Sequence, residues 1–409
     1  MLPNLRSTNN LIGLGAIFLV CLFSSGAGAA SFSLKSSSQF LWGENWLGEN
    51  DPVVAEYLKF KYDGESKMRF TGYGRASKSF GAGTLRDTAT QGRLYYGYLD
   101  YWGIDSFSLR AGRQYASYSA GGMVLDGLTA DFRNLSSYAG MALSAGSDVQ
   151  MPVNSDYSTD QKTALAASVY LKNTGLTEAD LSYVRKYDGK SAARETVGMN
   201  VASSFRLVKP YARAAYNNLT ESFDTIIAGL DIFPTARLAV RGEYYQAYPT
   251  FDASSIYSVF AVDRYSEYLL KAAYDVTTRF TGFAAYKRQA YEENDTADVI
   301  SLGGTYLPSD NAWMNVTVDN RQGRGGRLWG GQIYGDYGIS GDLKLSSGIQ
   351  RDMYQRVETV DTWANASRYW LGIKYRIKEE SQVTVRVEEN VNENFNHRLV
   401  GRATFDISF

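Results

Sequence analysis

The chain has 409 residues, a formal net charge of −1, one cysteine and one histidine. The near-neutral balance speaks against a nucleic-acid partner, and a single thiol and a single imidazole exclude disulfide frameworks, Cys/His metal sites and His-based triads. The chain holds 31 Tyr, 19 Phe, 7 Trp and 39 Gly against only 7 Pro, an unusual mixture for a soluble enzyme of this size.

The chain opens with a polar stretch carrying Arg6, followed by the apolar run LIGLGAIFLVCLF (11–23) and the small residues of 24–30. A basic start, a short apolar core and an A-x-A site make a secretory signal. Residues 1–29 are therefore read as a signal peptide cleaved after Ala29 or Ala30, and residues 30–409 as one domain. The run is too short to span a bilayer comfortably as an anchor. Cys21 lies inside this leader, preceded by Phe18-Leu19-Val20 and not by a lipoprotein site. No C-x-x-C-H haem motif occurs, and no cofactor is expected.

After the leader the period is two. Met68, Phe70, Gly72 and Gly74 alternate with Arg69, Thr71, Tyr73 and Arg75; Tyr369, Leu371, Ile373 and Tyr375 alternate with Trp370, Gly372 and Lys374. Segments of about ten alternating residues match tilted strands that cross hydrocarbon. A membrane chain without a long apolar helix must close its backbone hydrogen bonds in a barrel. The expected fold is thus all-β, a transmembrane antiparallel barrel of about 22 strands (range 18–22). In chain order the spans are 32–42, 53–63, 67–76, 92–101, 106–115, 127–134, 137–145, 163–172, 178–187, 195–204 and 209–217. They continue with 223–232, 236–247, 264–275, 279–290, 297–307, 312–321, 327–337, 342–353, 365–377, 381–390 and 397–409. An even number places both termini on the periplasmic side.

The connections alternate between short turns and longer polar loops at 43–52, 77–91, 116–126, 146–162, 248–263 and 354–363, the asymmetry expected of outer-membrane barrels. The Gly/Ser-rich stretch YASYSAGGMVLDG (115–127) is a candidate constriction, because glycine lets backbone pack against a wall; an ordinary surface loop has the same composition. RQGRGGR (321–327) is read as a mobile basic loop between two strands. Tyrosines near strand ends (Tyr57, Tyr62, Tyr95, Tyr96, Tyr98, Tyr101, Tyr244, Tyr245, Tyr334, Tyr337, Tyr369 and Tyr375) are read as an interfacial girdle, with sugar stacking as the alternative. His397 is read as a rim or lumen residue. In the last strand Leu399, Gly401, Ala403, Phe405, Ile407 and Phe409 share one face. The terminal aromatic set Phe405, Ile407 and Phe409 resembles the signal read by the bacterial barrel-assembly machinery.

With the apolar face toward lipid, the lumen face carries Arg69, Arg75, Arg110, Arg213, Arg237, Arg241, Arg368, Lys374, Arg376, Arg386, Arg398 and Arg402, together with Lys59, Lys61 and Lys344. The clear inward acids are Glu243, Glu388 and Asp406; acids collect in the predicted loops instead, at Glu44, Glu49, Asp51, Asp148, Asp156, Asp160, Glu292, Glu293, Asp295, Glu358 and Asp361. A basic interior under an acidic rim favours anions, since fixed positive charge in a narrow pore concentrates them. The same arginines can instead brace neighbouring strands by pairing with acids and tyrosines.

Several strings in the first third, SQFLWG (38–43), FTGYGR (70–75), GRLYYGYLDY (92–101), LRAGRQ (109–114) and LDGL (125–128), resemble outer-membrane porin-like channels of metal-reducing deltaproteobacteria such as Geobacter. The resemblance covers about 100 residues and implies a channel in the outer membrane of a Gram-negative bacterium, surrounded by lipid and lipopolysaccharide. Members are linked either to oxyanion uptake, such as selenite, or to multihaem c-type cytochromes in extracellular electron transfer. Two functions follow: a diffusion channel for small, anionic solutes, or a barrel sheath around such a cytochrome. Nothing in the chain points to an enzyme.

Overall fold

The computed structural model describes residues 31–44, 49–64, 67–81, 90–149, 162–172, 174–247, 265–291, 295–355, 362–393 and 395–409. The leader, with Ala29 and Ala30, lies outside them. The strands are β1 (Ser31–Gly43), β2 (Val53–Gly64), β3 (Met68–Ser79), β4 (Gln91–Ile104), β5 (Phe107–Tyr118), β6 (Gly121–Phe132), β7 (Ala139–Asp148), β8 (Lys162–Leu171), β9 (Thr177–Asp188), β10 (Ser191–Ser203) and β11 (Val208–Asn217). They continue as β12 (Ser222–Thr235), β13 (Leu238–Ala247), β14 (Tyr265–Thr277), β15 (Phe280–Tyr291), β16 (Thr296–Ser309), β17 (Ala312–Gly323), β18 (Gly326–Gly338), β19 (Leu343–Gln355), β20 (Ala364–Lys378), β21 (Ser381–Asn392) and β22 (Phe395–Ser408).

Each strand pairs antiparallel with its neighbours in the chain, and β1 pairs with β22, so the 22-stranded sheet closes on itself. The seam runs from Lys35 opposite Ser408 to Gly43 opposite Val400. Phe409 locks its lower end through reciprocal backbone bonds with Leu34, at 2.8 and 3.1 Å. Closure satisfies the backbone without water, which is the condition for crossing lipid with strands.

The side chains invert the pattern of a soluble protein. Leu371 is 51% exposed, and Leu302, Leu270, Leu181 and Ile349 are exposed with it on the outer face. Large apolar surface on this scale marks a membrane-facing belt. The inner face holds small and polar residues, as at Ala166, Ser168, Ser182 and Thr317. The cluster of Met123, Leu125, Ala164, Ala166 and Val184 is a true hydrophobic core, and it lies inside the barrel.

Connections at the end that holds both termini run from two residues, as at 236–237, to six at 133–138. The opposite end mixes the 248–264 connection with turns as tight as 189–190 and 324–325. Two expected loops are not loops. In the 116–126 segment, β5 runs on to Tyr118 and β6 starts at Gly121, leaving only Ser119-Ala120 as a turn. Around 321–327, β17 and β18 continue to Gly323 and Gly326 about the turn Arg324-Gly325, with positive φ at all three glycines. Glycine reads as a loop marker in sequence, yet it also builds the tightest hairpins.

The seam supplies a stability test. A Cβ at Gly401 would sit 1.8 Å from the Trp42 ring, which lies across the β1–β22 joint. Gly401→Val should destabilise the barrel by about 1–3 kcal/mol, read as a lower urea midpoint for loss of β-sheet circular dichroism in detergent.

Candidate functional site

The dominant internal feature among the described residues is the β5–β6 hairpin, which leaves the wall and folds into the lumen. β4 pairs with β5 from Ile104 opposite Phe107 only as far as Gly97 opposite Arg113. β6 pairs with β7 only up to Leu125 opposite Asp148. Beyond those points β5 and β6 pair with each other alone, through Tyr118 opposite Gly121. The bend sits where Gly112, Gly127 and Gly146 lie side by side in register. Gly112 adopts φ 120°, and a Cβ there would meet the Gly97 carbonyl oxygen at 2.4 Å, so no other residue fits the fold line. On the outside of this shoulder Arg113 grips Asp126 with two bonds of 2.7 Å and donates to the Leu94 carbonyl.

The tip is seated on the inner wall at β9 and β10. The Ser119 and Ser182 hydroxyls lie 2.7 Å apart, and the Ala120 N–H donates to the Ser182 Oγ at 2.8 Å. Gly198 of β10 is the seat: a Cβ there would fall 2.0 Å from the Ala120 nitrogen. Tyr118 reaches Ser144 of β7 at 2.5 Å. Ala116, Met123 and Leu125 fill the space against Ala164, Ala166 and Val184. Apolar packing and hydroxyl bonds together hold the hairpin as a fixed internal projection. The 115–127 segment thus enters the lumen as a paired hairpin, and a glycine of the wall receives it.

Beneath the hairpin is a cavity of about 570 Å³, lined among others by Arg110, Gln114, Thr129, Asp131, Tyr170, Asp180 and Arg213. Its charges are largely satisfied. Arg110 binds Asp100 at 2.7 Å, Tyr170 donates to Asp131 at 2.5 Å, and Asn200 donates to Asp180 at 3.2 Å. The Arg213 guanidinium has no carboxylate within ion-pair distance among the described residues.

Directly opposed residues of paired strands share a face, so the registers show where each expected base sits. Arg69, Arg75, Arg110, Arg213, Arg241, Arg368, Lys374, Arg376, Arg386, Arg398 and Arg402 take the inner face. Arg237 does not: it lies in the 236–237 turn between β12 and β13. Many of these bases are bracing residues. Arg69 and Lys61 share Asp63, Arg241 binds Asp231 at 2.7 Å, and Arg368 and Arg386 both reach Glu388. Arg376 lies 3.8 Å from Asp342, Arg398 donates to the Glu44 carbonyl, and Arg402 donates to Gln39.

The interior is less uniformly basic than the sequence implies. Asp63, Asp100, Asp131, Asp180, Asp231, Glu267, Asp319 and Asp352 also take inner-face registers. Asp148, expected in a loop, is buried on β7 and bound to Lys186 at 2.9 Å. Bases dominate along one arc only, from β19 through the seam to β3. There Lys35, Lys59, Arg75, Lys344, Lys374 and Arg402 face inward with no carboxylate partner among the described residues. The inward acids of that arc are Asp63, Asp352, Glu388 and Asp406.

The tyrosines divide between two environments. Tyr62, Tyr101, Tyr244, Tyr337, Tyr369 and Tyr375 face outward, as a girdle requires. Tyr57, Tyr96, Tyr98, Tyr245 and Tyr334 face the lumen, and Tyr95, in a bulge, stacks on inward Tyr73 at 5.0 Å. His397 is exposed on the outer face at the loop end, 2.7 Å from Glu389. No grouping of metal-binding side chains occurs among the described residues.

No family model matches the chain. No curated protein matches it either. Among solved structures, the siderophore receptor PirA from Pseudomonas aeruginosa aligns with a TM-score of 0.58 and 11% identity, over 92% of this chain and 80% of that one. Pseudomonas aeruginosa OccK7 (OpdD) aligns with a TM-score of 0.50 and 10% identity, over 93% and 99%. These identities speak to fold alone, and the fold is the closed antiparallel barrel of porin-type outer-membrane proteins.

The hairpin's seating predicts a crosslink. Ser119→Cys with Ser182→Cys should form a disulfide under mild oxidation, because hydroxyls 2.7 Å apart hold their Cβ atoms within disulfide reach. Bond formation is read by mass spectrometry. Single-channel conductance should not change on oxidation, since the hairpin is already docked.

Proposed function

We propose that the protein is an outer-membrane channel of a Gram-negative bacterium that passes small solutes and favours anions, oxyanions included. On this reading residues 1–29 are the export leader, and Phe405, Ile407 and Phe409 address the chain to barrel assembly. The observation that carries the preference is the arc from β19 to β3. Its inward bases include Lys344, Lys374, Arg402 and Lys35, none with a carboxylate partner among the described residues. Charge that is not neutralised locally sets the field in the pore, whereas paired Arg–Asp groups brace the wall and contribute little to it.

The hairpin supports a channel over a sheath. It occupies the lumen on the β5–β10 side, away from the basic arc. On this reading the hairpin narrows the space that a threaded cytochrome would use. The resemblance to porin-like channels of metal-reducing bacteria is compatible with both roles and does not choose between them.

A planar-bilayer recording under a KCl gradient tests the proposal. The wild-type zero-current potential should have the anion-selective sign. Combining Lys344→Glu, Lys374→Glu and Arg402→Glu should carry it through zero toward the cation-selective sign. An unmoved potential in the folded triple variant would remove the basis for anion preference; a barrel without conductance that co-purifies with haem protein would favour the sheath.

A further inference from the structure

The inner face of β2, β3 and β4 carries an arrangement that general anion attraction does not require. Tyr57 opposes Arg75 across β2 and β3, and in the next inward row Lys59 opposes Tyr73. Rings and cations therefore alternate in a checkerboard. Its spacings are about 5 Å between strands and about 7 Å between same-face residues along a strand. The rings continue toward β4: Tyr73 stacks near-parallel on Tyr95 at 5.0 Å and 24°, and lies 5.5 Å from Tyr96. Tyr57 sits near-parallel to Tyr73 at 6.3 Å. All are partly exposed among the described residues.

Lower on the same strands the cations are spent. Lys61 and Arg69 share Asp63, and on the neighbouring β5 Arg110 is held by Asp100 of β4. Lys59 and Arg75 differ. Lys59 is exposed, neither has a carboxylate within ion-pair distance among the described residues, and the buried Arg75 Nε has no hydrogen-bond partner. Two cations without carboxylate partners, set beside stacked tyrosines, suit an anion that brings its own flat surface.

We propose that this patch is a binding track for planar aromatic anions, aryl carboxylates above all. The solute's ring lies on the Tyr73–Tyr96 surface by offset stacking, and its carboxylate is held between Lys59 and Arg75. The inference rests on the anion-channel reading and names a solute class for it. Neutral sugars stack on aromatic faces too, but they have no use for two unneutralised cations within the same patch.

The test uses the full-length protein in planar bilayers, with benzoate and cyclohexanecarboxylate as blockers of the KCl current. The two carry the same charge at similar size, and only benzoate has an aromatic face. Benzoate should block at about tenfold lower concentration. Tyr73→Leu should erase that difference while leaving the K⁺/Cl⁻ zero-current potential in place, and Tyr73→Phe should retain it. Lys59→Gln with Arg75→Gln should weaken block by both acids. Equal block of the wild type by the two acids would overturn the proposal, even if Tyr73→Leu failed to fold. Block by maltose without block by benzoate would also overturn it, marking a sugar track. A cation-selective wild-type potential would instead count against the channel reading, independently of the comparison between the acids.

Discussion

The structure depends on one constraint: inside lipid every backbone N–H and C=O needs a partner within the chain. Twenty-two antiparallel neighbours satisfy it only because β1 and β22 meet. The cost of an open edge in hydrocarbon is several kcal/mol per unpaired group, so the seam holds the topology more firmly than any side-chain contact. Once closure is secured, the outer face need only be apolar. The inner face is then free to carry polar and charged groups.

That freedom explains how the lumen is organised. A barrel of this strand number encloses a wide space, and here the chain narrows it with its own hairpin. Glycines at the fold line let β5 and β6 turn inward without losing their mutual pairing. Ser182 and Gly198 receive the tip. The hairpin brings a small hydrophobic core into an otherwise polar interior, so hydrophobic burial works here on the lumen side of the wall.

Much of this was legible in the sequence. Strict alternation in segments such as 368–377 gave the barrel and its strand positions, and 137–145, the least regular segment, overlaps β7. What was not legible came from breaks in the period of two. On β4 the pairing shifts between Tyr73 and Gly74, so Leu94 and Leu99 both face outward although they differ by an odd number. The extra residue, Tyr95, flips the phase, and with it the faces of Tyr96, Tyr98 and Asp100. A similar shift on β12 interrupts the pattern near Asp224. Asp100 therefore escaped the alternation count, and on β4 girdle tyrosines could not be told from luminal ones; Asp180, Asp319 and Asp352 lie on unshifted stretches and face inward by plain alternation. The hairpin was flagged by its glycines, but its partner Gly198 lies about 80 residues away and carries no local signal.

The hairpin's withdrawal also fixes how deep the barrel can sit. Above Gly97, residues 91–96 of β4 continue to pair with β3 but meet no β5 partner. Backbone groups that the strand ladder no longer covers need side chains, water or headgroups as partners, and Arg113 serves the Leu94 carbonyl there. The hydrocarbon on this arc must therefore end at or below the level of Gly97. The place where a strand loses its neighbour thus acts as a waterline for the whole cylinder.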